Sequence, residues 1–280
     1  MHPIERLRWI ARADGESATE LATQAAWALG ALAATEPAAL LTACRRLLER
    51  HPACGPLYWT AARLLAADDP LTAASAVAKE LCADRTAEHL VAELGATLAS
   101  GSNIATSEPV GVLSEALETR GRYGVRFVGA LSSTGCTVRV LAALEGAVVG
   151  FALDECEAAL DDSAVAVVEA LAAGPGVALL TPGAAALVHG AAAAGVPAWL
   201  CVAAGRCLPA PLAALAARSS LEAGAAEMLV ADEFALAIGR DGSGDPAAVV
   251  SRTTCRGGTE LAGRHCQEGS RWALRLRLGG

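Results

Sequence analysis

The sequence predicts an α/β protein: an N-terminal helical bundle followed by a doubly wound, mostly parallel sheet. Three observations carry that reading. Residues 1–118 show helical hydrophobic periods and almost no strand pattern. Beyond them, short apolar runs alternate with Ala-rich helical stretches, as strands do when helices cover both sheet faces. Finally, 54% of the 280 residues are apolar but only 4% are aromatic, so a large core has to be packed from small side chains.

The helical elements follow in order. Ser17 is placed to cap a helix through Leu21, Ala25, Ala28 and Leu32, with Glu20 completing a capping box. Pro37 suits the first turn of the next helix, which runs through Leu40, Leu41, Cys44 and Leu48 to Arg50. His51-Pro52-Ala53-Cys54-Gly55-Pro56 breaks the period, and LYWTAARLLAA restarts it. Asp69-Pro70 opens a helix through Val77 and Leu81, and TAEHLVAELGATLAS supplies another with Leu90, Leu94 and Leu98 on one face. These make a bundle of five or six helices over 1–118.

In the second part, 119–280, the expected strands are Val125–Leu131, Val148–Leu153, Val177–Thr181, Ala198–Ala203, Met228–Ala231 and Trp272–Leu278. SAVAVVEALAAG and GAAALVHGAAAAG read as Ala-rich helices between them. Asp241-Gly242-Ser243-Gly244, between two apolar runs, reads as a hairpin or mobile loop.

Composition excludes several functions. The net charge is −8, and Lys79 is the only lysine. No basic stretch interleaves with aromatics, so nucleic acid is not an expected partner. Nine cysteines form no CxxC pair, which fits buried, reduced thiols. The charged N-terminus is no signal peptide, and no apolar run is long enough to span a membrane. A cytoplasmic protein is expected. Asp154-Glu155-Cys156-Glu157, with Asp161 and Asp162, has no accompanying His, so no metal is expected. No GxGxxG follows the first strand, and no cofactor is expected. His89, His189 and His265 each stand alone in helical patterns and read as structural or surface residues.

One stretch points to a ligand. VRFVGALSSTGCTV, from Val125 to Val138, reads as a buried strand entering a hydroxyl-rich turn and then a helix. Such a turn offers backbone N–H groups and a helix dipole to a phosphate. MLVADEF places Asp232 after a later strand, where a doubly wound sheet could bring it to the same edge. A phosphorylated small molecule is the expected partner.

Several short motifs, in order along the chain, resemble one family. It comprises the alpha, beta and delta subunits of eukaryotic initiation factor 2B, with archaeal ribose-1,5-bisphosphate isomerase and methylthioribose-1-phosphate isomerase. His51-Pro52-Ala53-Cys54-Gly55-Pro56-Leu57 resembles the family's Arg-Pro-Thr-Ala turn, and Leu131 to Thr137 resembles its Thr-His-Cys/Ser-Asn-Ser-x-Thr strand end. Glu155-Cys156-Glu157-Ala158 is similar to its Glu-Ser-Arg-Pro segment, and Val230-Ala231-Asp232 to its Gly-Ala-Asp strand end. Cys255-Arg256-Gly257-Gly258-Thr259 resembles its Asn-Lys-Ile-Gly-Thr motif.

The resemblance implies a Rossmann-like second part, a sugar-phosphate ligand and a homodimer. It implies Asp232 and Ser133 at the catalytic positions, with phosphate held by Ser132, Thr134, Gly135, Thr137, Arg256, Gly258 and His51. Aldose–ketose isomerisation needs an acid/base group across two adjacent carbons, which Asp232 would supply. Three positions depart from the pattern: Ser133 replaces a cysteine, His51 an arginine, and Glu157 a frequent arginine. An unactivated Ser is a weak acid or base, so two functions stay open. One is a sugar-phosphate isomerase; the other is a non-catalytic regulatory or structural paralogue acting through protein contacts.

Overall fold

The computed structural model describes residues 2–13, 16–107, 111–119, 123–129, 148–253, 255 and 261. Six helices come first: α1 (Pro3–Ile10), α2 (Ala18–Thr35), α3 (Leu40–Arg50), α4 (Gly55–Leu65), α5 (Pro70–Cys82) and α6 (Thr86–Thr97). Asp69 caps α5 as expected, its carboxylate accepting from Leu71 N–H (3.0 Å) and Thr72 N–H (3.3 Å). Ser17 holds the N-cap position of α2, but its hydroxyl makes no capping bond. Helices α2 and α5 approach closely because Gly30 faces Ala74; a Cβ on Gly30 would come within 2.7 Å of that methyl.

The remaining elements are β1 (Asn103–Thr106), α7 (Val112–Thr119), β2 (Gly124–Val128), β3 (Val148–Phe151), α8 (Cys156–Leu160), β4 (Ser163–Glu169), β5 (Ala172–Gly174), β6 (Val177–Leu180), α9 (Ala184–Ala194), β7 (Ala198–Val202), α10 (Ala210–Glu222), β8 (Glu227–Val230), β9 (Leu236–Gly239), β10 (Gly242–Gly244) and α11 (Pro246–Val250). Seven strands form one sheet in the order β10-β9-β7-β4-β1-β2-β3. Every neighbouring pair is parallel except β10 with β9. From β1 the chain steps outward to β2 and β3, then crosses back to β4 on the other side of β1. That reversal is the topological switch point of a doubly wound sheet.

Alternation along the strands divides the core. Ile104, Val125, Val165, Val167 and Trp199 face α6 and α7, burying Leu90, Leu94 and Leu113 with them. Ala105, Val128, Ala166, Val168 and Leu200 face α8 and α9, packed with Leu160, Leu187 and Val188. Each fully buried Leu or Val contributes about 1.5–3 kcal/mol of transfer free energy. A third cluster joins α1 to α5 with α10.

Four expectations change. SAVAVVEALAAG is not a helix: Ser163–Glu169 is the central strand β4, and Ala172–Gly174 begins a hairpin. Its Val residues are stiff at χ1 and both faces are covered, so a continuous apolar run suits the sheet despite its Ala content. Val177–Thr181 and Met228–Ala231 are strand segments, but β6 and β8 join β5 in a separate antiparallel sheet of three. The turn at Gly174-Pro175-Gly176, with Gly176 at φ +77°, is too short for the crossover that parallel pairing requires. Helix α6 packs on the sheet rather than within the bundle, and β1 enters the sheet from inside the stretch expected to be helical. The Asp241-Gly242-Ser243-Gly244 segment does form a hairpin, between β9 and β10. Trp272–Leu278 lies outside the described residues.

Candidate functional site at the switch point

Doubly wound sheets bind ligands outside the C-terminal ends of the strands, at the switch point. Here that point lies between Thr106, the end of β1, and Glu169, the end of β4. Glu169 is 7% exposed and Arg206, just after β7, is 8% exposed. They form a buried ion pair between Glu169 Oε1 and Arg206 Nη2. The other carboxylate oxygen accepts from Val112 N–H at 2.9 Å, at the start of α7. Gly111, at φ +123°, allows this approach; any Cβ there would overlap Glu169 Oε2. Arg206 also donates from Nη1 to the carbonyl of Ala170.

Two buried polar atoms here lack a partner among the described residues: Ser107 Oγ, after β1, and Arg206 Nε. Buried polar groups are normally satisfied, so these mark where water or a ligand oxygen fits. The surroundings are acidic. Burial raises the Glu115 carboxyl, and the charges of Asp84, Glu118, Glu169 and Glu88 raise it further. Burial likewise lifts the Cys201 thiol well above its ordinary value, with Glu169 adding to the effect and Arg206 opposing it.

The helical layer closes over this edge through the turn that the sequence singled out. Gly55 N–H donates to Leu171 O at 3.0 Å, just past Glu169, and Ser220 Oγ donates to Pro52 O at 2.8 Å. A Cβ on Gly55 would sit 2.5 Å from Leu171 O, so only glycine permits the approach. Asp84 ties the start of α6 to the sheet, accepting from Thr86 N–H (3.1 Å) and from Ala204 N–H (3.0 Å). Beside this junction a crevice runs along the ends of β7 and β9, lined by Trp59, Ala204, Gly205, Arg240 and Arg252. Arg63 stacks on Trp59 at 4.7 Å, and Glu80 bridges Arg63 (2.8 Å) and Arg240 (2.6 Å).

Of the residues selected from sequence, the structure describes two, and it does not bring them to the switch point. Asp232 is exposed in a 3-10 turn, Ala231–Glu233, after β8 of the small sheet. Ala231 N–H there donates to Gly176 O, at the β5–β6 turn (2.9 Å). His51 is half-buried after α3, with Nε2 2.8 Å from Ile10 O, a bond that fastens the end of α1. Ser132, Ser133, Thr134, Gly135, Thr137, Arg256 and Gly258 lie outside the described residues. The residues sequence reasoning missed are Glu169, Arg206 and Gly111. An acid closing the run AVAVVE would have stood out had that run been read as a strand.

The geometry defines a class: a doubly wound α/β sheet whose switch-point edge is covered by an N-terminal helical layer. No protein-family model matches the chain, and no curated protein matches it. Solved structures do. A Pyrococcus horikoshii OT3 protein described as translation initiation factor eIF-2B aligns over 89% of this chain and 98% of its own, at 14% identity and TM-score 0.68. The tetrameric eIF2B-beta2-delta2 complex of Chaetomium thermophilum matches over 89% of this chain and 92% of that one, at 13% identity and TM-score 0.70. Its eIF2B beta covers 89% of this chain and 90% of that one, at 12% identity and TM-score 0.66. The chain therefore has the initiation-factor-2B fold. Among the described residues, no helix is long and apolar enough to cross a membrane.

Proposed function

We propose that this chain is an initiation-factor-2B-like protein that acts through binding and protein contacts, without isomerase turnover. The observation that carries this reading is the state of Glu169. It is the acid at the switch point, and both its oxygens are committed, one to Arg206 and one to Val112 N–H. A carboxylate held in this way is poorly placed to shuttle a proton between substrate carbons. Asp232, the acid the isomerase reading needs, is exposed beyond β8 of the small sheet rather than at this edge. Ser133, standing where the related isomerases carry a cysteine, points the same way.

A phosphorylated sugar or nucleotide is the ligand this reading admits. The unpartnered Arg206 Nε and Ser107 Oγ favour an oxygen-rich group at the edge. Ser132, Thr134, Gly135, Thr137, Arg256 and Gly258 are the proposed phosphate contacts. Under the competing isomerase reading, Asp232 and Ser133 would be the catalytic pair. The proposed organisation is a helical part followed by a sugar-phosphate-binding part, their boundary falling before α6 and β1 rather than at 118/119, with the protein cytoplasmic and homodimeric. Exposed Val149 (51%) on β3 and Leu153 (46%) beyond it support a contact between copies through the second part.

A thermal-shift series with ribose 1,5-bisphosphate, ribose 5-phosphate, methylthioribose 1-phosphate, AMP and inorganic phosphate, paired with turnover assays, tests this. A ligand at a hundred times its Kd should stabilise the fold by about 2.7 kcal/mol, a shift of a few degrees. The expected result is a shift with one phosphorylated ligand and no turnover. Turnover abolished by Asp232→Asn would establish the isomerase reading instead. With no shift from any of them, the phosphorylated ligand drops out and protein contacts alone remain.

A further inference from the structure

The helical layer carries a second concave surface, away from the switch point. Its floor is apolar, built from Ile4, Leu7 and Ala11 of the first helical segment, Ala39 at the N-cap of α3, and Ala43 and Leu47 within α3. Spacings of three and four residues put each set on one helix face. Along the rim stand Arg8, Arg12, Arg46 and Arg50, with Glu49 the one acid among them. Arg8 pairs with Glu5 at 2.6 Å, both exposed, an association that a competing carboxylate displaces at little cost. Arg12, Arg46 and Arg50 make no ion pair among the described residues.

This local concentration of arginine contrasts with a chain whose net charge is −8. An apolar floor between two helices, rimmed with guanidinium groups, matches one kind of occupant in both shape and charge. We infer that the groove between α1 and α3 docks an acidic amphipathic helix of a partner protein. The partner would present apolar side chains every third or fourth residue, flanked by Asp or Glu. From Ala39 to Arg50 the groove runs about 16 Å, which accommodates about three turns. Guanidinium forks would engage the flanking carboxylates bidentately, fixing register, while the floor buries the apolar stripe. This surface is separate from the switch-point crevice, so failure of either proposal leaves the other standing.

The test uses the full chain and a fluorescein-labelled designed peptide, helical, with a Leu stripe flanked by Glu. A twin with Lys replacing every Glu and a scrambled sequence serve as controls. Saturable anisotropy is expected with the acidic peptide alone, weakening as salt rises. Arg12→Glu combined with Arg46→Glu should weaken it about tenfold or more. Arg46→Lys, which keeps the charge but loses the fork, should weaken binding less than charge reversal does, and circular dichroism establishes that each variant is folded. Three results overturn the proposal: no binding by the acidic peptide, equal binding by either control, or indifference to charge reversal. A fourth is a dimer of the chain that the same reversal dissociates in sedimentation, which would make a second copy the occupant.

Discussion

Arg206 is the one described cation that the switch-point carboxylate meets directly, and its side chain is almost wholly withdrawn from water. Removing one partner of such a pair strands the other charge, which costs about 3–5 kcal/mol. Glu169→Ala and Arg206→Ala should each lower stability by that amount in urea unfolding. Glu169→Gln together with Arg206→Met should recover much of the loss, because a neutral pair carries no stranded charge. Burial pushes the Cys44 and Cys207 thiols up from 9.0 to about 12, and Cys54 to about 11. The folded chain then keeps these protons where the unfolded chain releases them. Stability is full below pH 9, falling as pH climbs towards 11–12. Urea midpoints at pH 8 and pH 10 should therefore differ, the higher pH giving the lower value. At this scale the sequence was least legible. Buried thiols could be read from their apolar neighbours, but the Glu169–Arg206 pair joins residues separated by several elements. No local pattern announces such a pairing.

Among the elements, the His51–Pro56 break shows what could be read and what could not. Pro and Gly mark the interruption in any sequence, and the structure has α3 ending and α4 starting there. Why position 55 must be glycine depends on Leu171, a contact visible only after folding. Gly55→Ala should cost about 1–3 kcal/mol, because backbone rather than a yielding side chain stands in the way. Gly95 is a fitting control. It lies inside α6 with nothing near its missing Cβ, so Gly95→Ala should stabilise by about 0.5–1 kcal/mol. Thermal melts of the two variants should move in opposite directions. The same contrast explains β4. Alanine favours helix in isolation, but Val165, Val167 and Val168 face helices on either side of a sheet, and tertiary burial overrides the local preference.

At the scale of the molecule, the order of the parts was legible: helices first, then alternating strands and helices. Composition and period suffice for that. The way the parts lock together was not. Glu80 of α5 meets Arg240 beyond β9, His89 Nδ1 lies 2.8 Å from Gly239 O, and Glu93 accepts from Ser243 of β10. A double-mutant cycle with Glu80→Gln and Arg240→Met should give a coupling energy of about 0.5–3 kcal/mol if the layers unfold as one unit. Separate melting of the helical layer would show up as two transitions. These locks also have a consequence in time. The residues they join stand up to 160 positions apart, and the helical partner always comes first. During synthesis at about 5–20 residues per second, α5 and α6 would wait roughly 8–30 s before β9 and β10 exist. Throughout that interval Glu80 keeps Arg63 but lacks Arg240, while His89 and Glu93 await a strand not yet made, exposed to whatever the cell offers in its place.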